Sequence, residues 1–263
     1  MGPLIEFLVE GDMNRVILAT GAVSLIIGLV MLYYYFRSKR IIDEMWAVKT
    51  YDARELRMMC SSGFNAVVEV EGIVECGNPL ITPAAKIPCC WYHIQIEKEM
   101  CGSKGGTYWT SAFEDTKSTI FKVCDKTGFT LVEPIWADVD AARVYFDTVN
   151  RGTIREIANN IGISDTGEYR ITEEALHDGG YVYVLGTAQC TQQGSSSDVV
   201  IRKSDQGYID QKGHFIISRK SEKELAKHYG LSVSICYYLA AISFAVAFFC
   251  ILCIAGVIKI DGI

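Results

Sequence analysis

Two long apolar runs without a single charge constrain this chain more than anything else in it. Val16 to Phe36 contains no charged residue, and neither does Leu231 to Ile258. A helix of about 20 apolar residues crosses the roughly 30 Å of bilayer hydrocarbon, and both runs reach that length. Nothing between them does. The first run does not read as a cleaved leader, which would need a basic start and a small-residue cleavage site. It is preceded by Glu6, Glu10 and Asp12 with only Arg15 to balance them. It ends in Tyr33, Tyr34, Tyr35 and Phe36, followed by Arg37, Lys39 and Arg40. That is an interfacial aromatic cluster with a basic stop. The expectation is a membrane protein with two transmembrane α-helices flanking a β-rich (α+β) soluble domain. Residues 1–15 form a short tail, 16–36 the first span, 37–230 the domain, 231–258 the second span and 259–263 a second tail.

Within the domain the apolar residues recur mostly every second position, the period of strands with one buried face. Strands are expected at Ala66–Val74, Cys90–Glu97, Thr119–Val123, Phe129–Val132, Arg143–Phe146, Tyr181–Leu185, Val199–Arg202 and His214–Ser218. Trp91 and Tyr92 are adjacent on one of them, and the expectation is that Tyr92 points inward and Trp91 outward. Glycine-rich turns separate the strands, and the stretches near Ser103 and Ser196 read as hairpin loops. Helical spacing appears in Asp43–Met59 and in Thr153–Ile161, where Ile154, Ile157, Ala158 and Ile161 share a face. Ser221 and Glu224 form a capping box that starts a helix running into the second span. Lys220, Lys223 and Lys227 are placed on one face of that helix. With Arg37, Lys39 and Arg40 they are candidate lipid-headgroup contacts.

A net charge of −6 argues against general nucleic-acid binding, which needs a basic surface. The ten cysteines include Cys236, Cys250 and Cys253 in the second span. The other seven (Cys60, Cys76, Cys89, Cys90, Cys101, Cys124 and Cys190) are odd in number and irregularly spaced, so reduced thiols are expected.

A set of short motifs in a fixed order carries a family resemblance. Glu71 and Gly72 lie in a strand, and Pro79, Leu80 and Pro83 follow in a loop. Cys89 and Tyr92 lie in the next strand. Phe121, Asp125, Gly128 and Pro134 fit a strand, a turn and a second strand. Gly186 closes a strand, and Ser218 leads toward the last helix. In this order, between two apolar anchors, the motifs resemble the GIDE family, the membrane-flanked ("beside a membrane") domain of mitochondrial E3 ubiquitin ligases and their archaeal and bacterial relatives. The resemblance implies structural roles for these residues. In the eukaryotic ligases a RING finger follows the second span, but Lys259 to Ile263 hold no Cys or His to bind its zinc. A prokaryotic member without autonomous ubiquitin transfer is therefore expected: a membrane-anchored scaffold for a protein partner, or a ligase subunit whose RING comes from another chain.

No catalytic, cofactor or metal residue is expected. Cys89, Cys90, His93, Cys101 and Cys124 are the only metal-like group, but adjacent cysteines on a strand point to opposite faces. Gly102 to Thr107 lacks the order of a phosphate loop. His177 and Asp178 have no nucleophile turn to serve and are assigned to the end of a short helix. Asp138, Asp140 and Asp147 read as solvated strand-edge charges. Thr20, Ser24 and Gly28 in the first span, with Ala241 and Ala245, and Ser243 and Ala247 in the second, are small-residue stripes. They favour packing of the two spans within one chain, with homo-oligomer contacts as the alternative. Lys and Arg flanking the spans sit mainly on the domain side, which places the domain in the cytoplasm. The family resemblance implies the outer side instead.

Overall fold

In the computed structural model, residues 2–60, 65–102, 105–149, 154, 157, 167–193, 196–203, 214–255 and 257 are described. The elements are α1 (Gly2–Ala47), α2 (Ala53–Cys60), β1 (Asn65–Glu75), β2 (Leu80–Ile81), β3 (Pro88–Cys101), β4 (Thr107–Ser118), β5 (Phe121–Cys124) and β6 (Phe129–Val132). They continue with β7 (Asp138–Asp140), β8 (Ala142–Val149), β9 (Tyr169–His177), β10 (Tyr181–Gln193), β11 (Ser196–Arg202), β12 (Ile216–Ser218) and α3 (Glu222–Ile254). Two apolar helices thus flank a β-rich domain. The chain divides into a helical unit, Met1–Glu44 with Ala226–Ile263, and a β unit, Met45–Leu225.

In the helical unit α1 and α3 run antiparallel. A Cβ on Gly28 would lie 3.1 Å from the Phe244 ring, and one on Gly21 would lie 3.0 Å from Cys250 Cβ. Further along, Tyr35 and Tyr237 stack 6.1 Å apart. Small residues let the backbones approach this closely. Within this unit Ala240, Ala247 and Cys250 are the buried positions of α3. Of the stripes, Gly28 and Ala247 therefore face the partner helix within the chain, whereas Ala241, Ala245 and Thr20 are exposed. Both helices have a mean hydropathy of 2.4 over their apolar windows and expose nearly all of that surface. They are long and apolar enough to cross a membrane.

The β unit holds two sheets. In the first, β1 pairs with β5, β5 with β6, β6 with β11 and β11 with β10, and β10 returns to β1 over Asn65↔Gln189 to Ile73↔Tyr181. The ring closes a five-stranded barrel. β12 and β7 extend it from the free half of β10's edge. Val68, Val70 and Val74 alternate into the barrel with Val182, Val184, Phe121, Val132 and Ile201. Closure demands two glycines. A Cβ on Gly72 would run into the Cys124 carbonyl oxygen, and one on Gly186 would lie 2.7 Å from the Phe215 ring.

The second sheet has the order β2-β3-β9-β8, with β4 also on β3. It covers a separate core of Tyr92, Ile94, Ile96, Tyr169 and Ile171, with Ile154 and Ile157. Those two isoleucines are helical; the rest of the expected Thr153–Ile161 helix lies outside the described residues. A β-bulge at Cys90 shifts the phase of β3. Cys90 and Trp91 consequently enter the barrel core, while Cys89 and Tyr92 enter the second. Tyr92 is inward as expected, but Trp91 is inward too, only 9% exposed.

Other expectations need correcting. His177 and Asp178 end no helix: β9 runs to His177 and turns at Asp178–Gly179. Asp43–Met59 does include helix, the end of α1 and most of α2, with Thr50 between them bridging Glu69 of β1. Thr119 and Ile120 precede β5 rather than belonging to it. Strands β2, β4, β7 and β9 are absent from the expected set, and Leu80 lies in β2 rather than in a loop. Cys60 and Cys190 are joined by a disulfide that ties α2 to β10, with Cα atoms 5.3 Å apart, so the reading of all seven cysteines as thiols fails for this pair.

Candidate functional site

Several carboxylates of the β unit hold backbone in place. At the start of α2, Asp52 Oδ1 accepts the Glu55 N–H at 2.7 Å, an N-cap. A second cap comes from far along the chain: Ala53 N–H donates to Asp125 Oδ2 at 2.7 Å, and Arg54 N–H to Thr127 Oγ1 at 3.1 Å. Asp125 Oδ1 also takes the N–H groups of Thr127 and Gly128. Burial works to raise the Asp125 pKa, but these hydrogen bonds prevail and hold it below the usual carboxylate range. In the second sheet Glu173, fully buried, accepts Ala84 N–H at 2.9 Å and Ala85 N–H at 2.8 Å. It thereby fixes the loop that carries Pro83. Ser218, also buried, donates to Asp140 Oδ2 at 3.0 Å and accepts the Lys220 N–H at 3.0 Å.

Around the α2 cap opens a cleft of about 850 Å³, lined by Tyr51, Asp52, Glu55, Glu71, Gly72, Ile73, Asp125, Lys126 and Tyr181 among others. Its acidic rim already holds one of the chain's own ammonium groups. Lys49 Nζ sits 2.9 Å from Glu55 Oε1 and 5.1 Å above the centre of the Tyr51 ring. On the same face of β1 as Glu71, one step further in, lies Glu69, 1% exposed. Its Oε1 and the Tyr183 hydroxyl, both buried, make no well-formed hydrogen bond among the described residues. Burial pushes the Glu69 pKa up to about 7; weak donation from Tyr183 opposes this, and the charges of Glu222 and Glu71 add to it. Burial and the facing Glu69 likewise raise Tyr183. Glu71 accepts the Glu222 N–H at 3.5 Å.

The motif residues fall around the cleft, in the cores and at the surface. Glu71, Gly72, Asp125 and Gly128 surround the cleft or its cap. Cys89, Tyr92, Phe121 and Pro134 are buried. Pro79 is exposed, and Leu80 is half-buried in β2. Gly186 and Ser218 sit at close approaches on β10 and β12.

The metal-like group is not brought together. Cys89 and Cys90 are buried in different cores, Cys101 is exposed at the far end of β3, and Cys124 lies on β5 near Glu75. His93 Nδ1 is 2.8 Å from Thr116 Oγ1. Asp178 turns its carboxylate to the Cys76 N–H at 2.8 Å, away from any role with His177. Gly102 N–H donates to Gly106 O at 2.6 Å, closing the β3–β4 hairpin; Ser103 and Lys104 lie outside the described residues. Asp147 accepts its neighbour's N–H, that of Thr148, at 2.8 Å, and Asp138 is exposed. Asp140 is not a solvated edge charge: it pairs with Lys220 Nζ at 2.8 Å. Lys220 precedes α3 and is engaged there, so it does not share a helix face with Lys223 and Lys227. Those two, like Arg37, Lys39 and Arg40, are exposed. The capping box holds, with Ser221 N–H donating to Glu224 Oε2 at 3.1 Å. Glu69, Glu173 and Tyr183 escaped the sequence reading because nothing in their spacing marks them.

Fold and cleft define a class: a strand-built domain between two apolar helices, with an open acidic cleft beside α2. The family model for GIDE, described as E3 ubiquitin ligase, matches residues 95–253, more than half of the chain, and the protein belongs to that family. No curated protein and no solved structure matches it.

Proposed function

We propose that this protein is a membrane-anchored, non-catalytic docking module of the ubiquitin-ligase-related GIDE family, and that it takes a basic segment of a protein partner in the cleft beside α2. The observation that carries this reading is the cleft itself: open, about 850 Å³, with Glu55, Glu71, Tyr51 and Tyr181 at its rim. The Lys49 ammonium held on Glu55 and Tyr51 supports it, because it is the interaction an incoming lysine or arginine would make. The family description supports a second reading, in which the module is a ligase subunit and another chain supplies the RING.

The experiment is affinity purification of the full chain in mild detergent, wild type against Glu71→Lys. A partner retained by the wild type and lost from the variant is expected; equal retention would rule out the cleft. Reconstitution with ubiquitin, E1 and a panel of E2 enzymes should give no conjugates above the no-protein control. Conjugates would end the non-catalytic reading. On sidedness, Arg37, Lys39, Arg40, Arg219, Lys220, Lys223 and Lys227 against Arg15 and Lys259 support a cytoplasmic domain. The Cys60–Cys190 bond favours an oxidising compartment, the outer side. An impermeant maleimide on intact cells, with a single cysteine introduced at Ser196, decides between them, and labelling before lysis would put the domain outside.

A further inference from the structure

On the core side of the second sheet lies a smaller pocket of about 350 Å³, which shares no residue with the cleft beside α2. Small-molecule sites span roughly 300–1,000 Å³. Its apolar lining is Ile94 and Ile157, both buried, with Phe113 half-buried. Two exposed lysines, Lys86 and Lys117, and the half-buried Asp115 supply its charge. Lys117 Nζ leans on Asp115 Oδ2 at 3.7 Å, whereas Lys86 makes no ion pair among the described residues. The place of Lys86 is fixed by its loop. Glu173 takes the N–H groups of Ala84 and Ala85 just before it. Thr82 and Ile87 close the loop: the Ile87 N–H donates to Thr82 Oγ1 and the Thr82 N–H to Ile87 O, each at 3.0 Å. Lys86 itself is held in the left-handed region, at a φ of 59°.

We propose that this pocket binds a small organic monocarboxylate, its carboxylate held by Lys86 and Lys117 and its short apolar body laid against Ile94, Phe113 and Ile157. Charge selects the headgroup. Two ammonium groups and one carboxylate leave the site with a single net positive charge, which one carboxylate neutralises and a phosphate dianion would exceed. Lysine meets such an anion through charge-assisted hydrogen bonds, the stronger kind. The lining selects the body, because an apolar chain placed on the isoleucines and Phe113 leaves water. The volume keeps that body short. The loop that carries Lys86 is tied down by Glu173 and by the Thr82–Ile87 pair, so little ordering remains to be done when the ligand enters. This site stands apart from the proposed docking of a basic segment beside α2, and takes the opposite charge.

The full chain in detergent, labelled at its isoleucine methyl groups, is titrated with sodium hexanoate near neutral pH and followed by methyl NMR. Saturable shifts at Ile94 and Ile157 are expected, with Ile201 in the barrel core unmoved. Acetate, which lacks the body, and hexylammonium, of opposite charge, should leave those methyls in place. Lys86→Asn removes the charge with a residue that tolerates left-handed backbone, and Lys117→Met keeps the apolar stem. Each should weaken hexanoate binding about tenfold, the worth of one charge-assisted hydrogen bond, without lowering the melting temperature. Shifts no larger at Ile94 and Ile157 than at the isoleucines of α1 and α3 would mean partition into detergent and would overturn the proposal. Acetate binding as tightly as hexanoate would overturn it too, as would hexanoate binding to both variants as it does to the wild type.

Discussion

Each sheet of the β unit buries one glutamate, and the two are treated in opposite ways. Glu173, in the second sheet, is fully buried with both oxygens filled by the N–H groups of Ala84 and Ala85. Glu69, on the outer face of the barrel, is 1% exposed, and one of its oxygens is orphaned. A buried carboxylate is tolerable when it is hydrogen-bonded and costly when it is not. The same residue type is therefore a clamp in one sheet and a titrating group in the other. What separates them is the supply of donors: a loop offers Glu173 two adjacent N–H groups, whereas Glu69 faces Tyr183 and the charges of Glu71 and Glu222, and its Oε1 finds no partner among the described residues.

The sharpest way to separate the two regions uses neighbours on one strand. Trp91 fills the barrel core and Tyr92 the second, so truncating each to Ala is expected to cost about 3–5 kcal/mol, the usual loss for a buried aromatic. Hydrogen exchange tells the cores apart: Trp91→Ala should speed exchange in β1 and β10, and Tyr92→Ala in β8 and β9. Identical exchange patterns would mean that the sheets open as one body. If Tyr92→Ala melted within a degree or two of the wild type, the strand phase assigned to β3 would be wrong.

Next in size is the clamp. Charge-assisted hydrogen bonds are worth about 1.5–3 kcal/mol each, and the amides concerned are only partly buried. Glu173→Ala should then cost about 3 kcal/mol and expose the Ala84 and Ala85 amides to exchange. Glu173→Gln, which keeps one acceptor, should cost about half. An unchanged melting temperature for the alanine variant would show that the loop holds itself.

The sequence disclosed the architecture where pattern and packing agree. The two helices, the capping box at Ser221 and the strands around Val68 and Val184 each present one apolar face, and each was legible. It failed where they part. β4 exposes residues on both faces, so Thr107–Ser118 shows no alternation. In β9 the buried row Tyr169, Ile171, Glu173, Ala175 is interrupted by a carboxylate, and Glu-Glu-Ala-Leu reads as helix. The bulge at Cys90 and the Cys60–Cys190 bond are tertiary events without a local signal. The cleft depends on Asp125 reaching α2 across the fold, which spacing does not disclose.

An effect of the opposite sign comes from Glu69. Its pKa rises from an ordinary value of 4.5 to about 7 on folding, chiefly through burial. The folded chain therefore holds a proton that the unfolded chain releases across this range. The stability due to the neutral acid is fully present below about pH 4.5 and is lost as pH rises through about 7. At about 1.36 kcal/mol per unit, the loss at pH 8 is on the order of 3 kcal/mol. Glu69→Gln supplies a permanently uncharged isostere. The variant should match the wild type near pH 4 and melt higher at pH 8, where Glu173→Gln stays destabilised. Melting curves of the full chain in detergent between pH 4 and 8 measure both. A wild-type profile parallel to that of Glu69→Gln would mean that Glu69 keeps its charge inside the fold, and that a donor reaches its free oxygen.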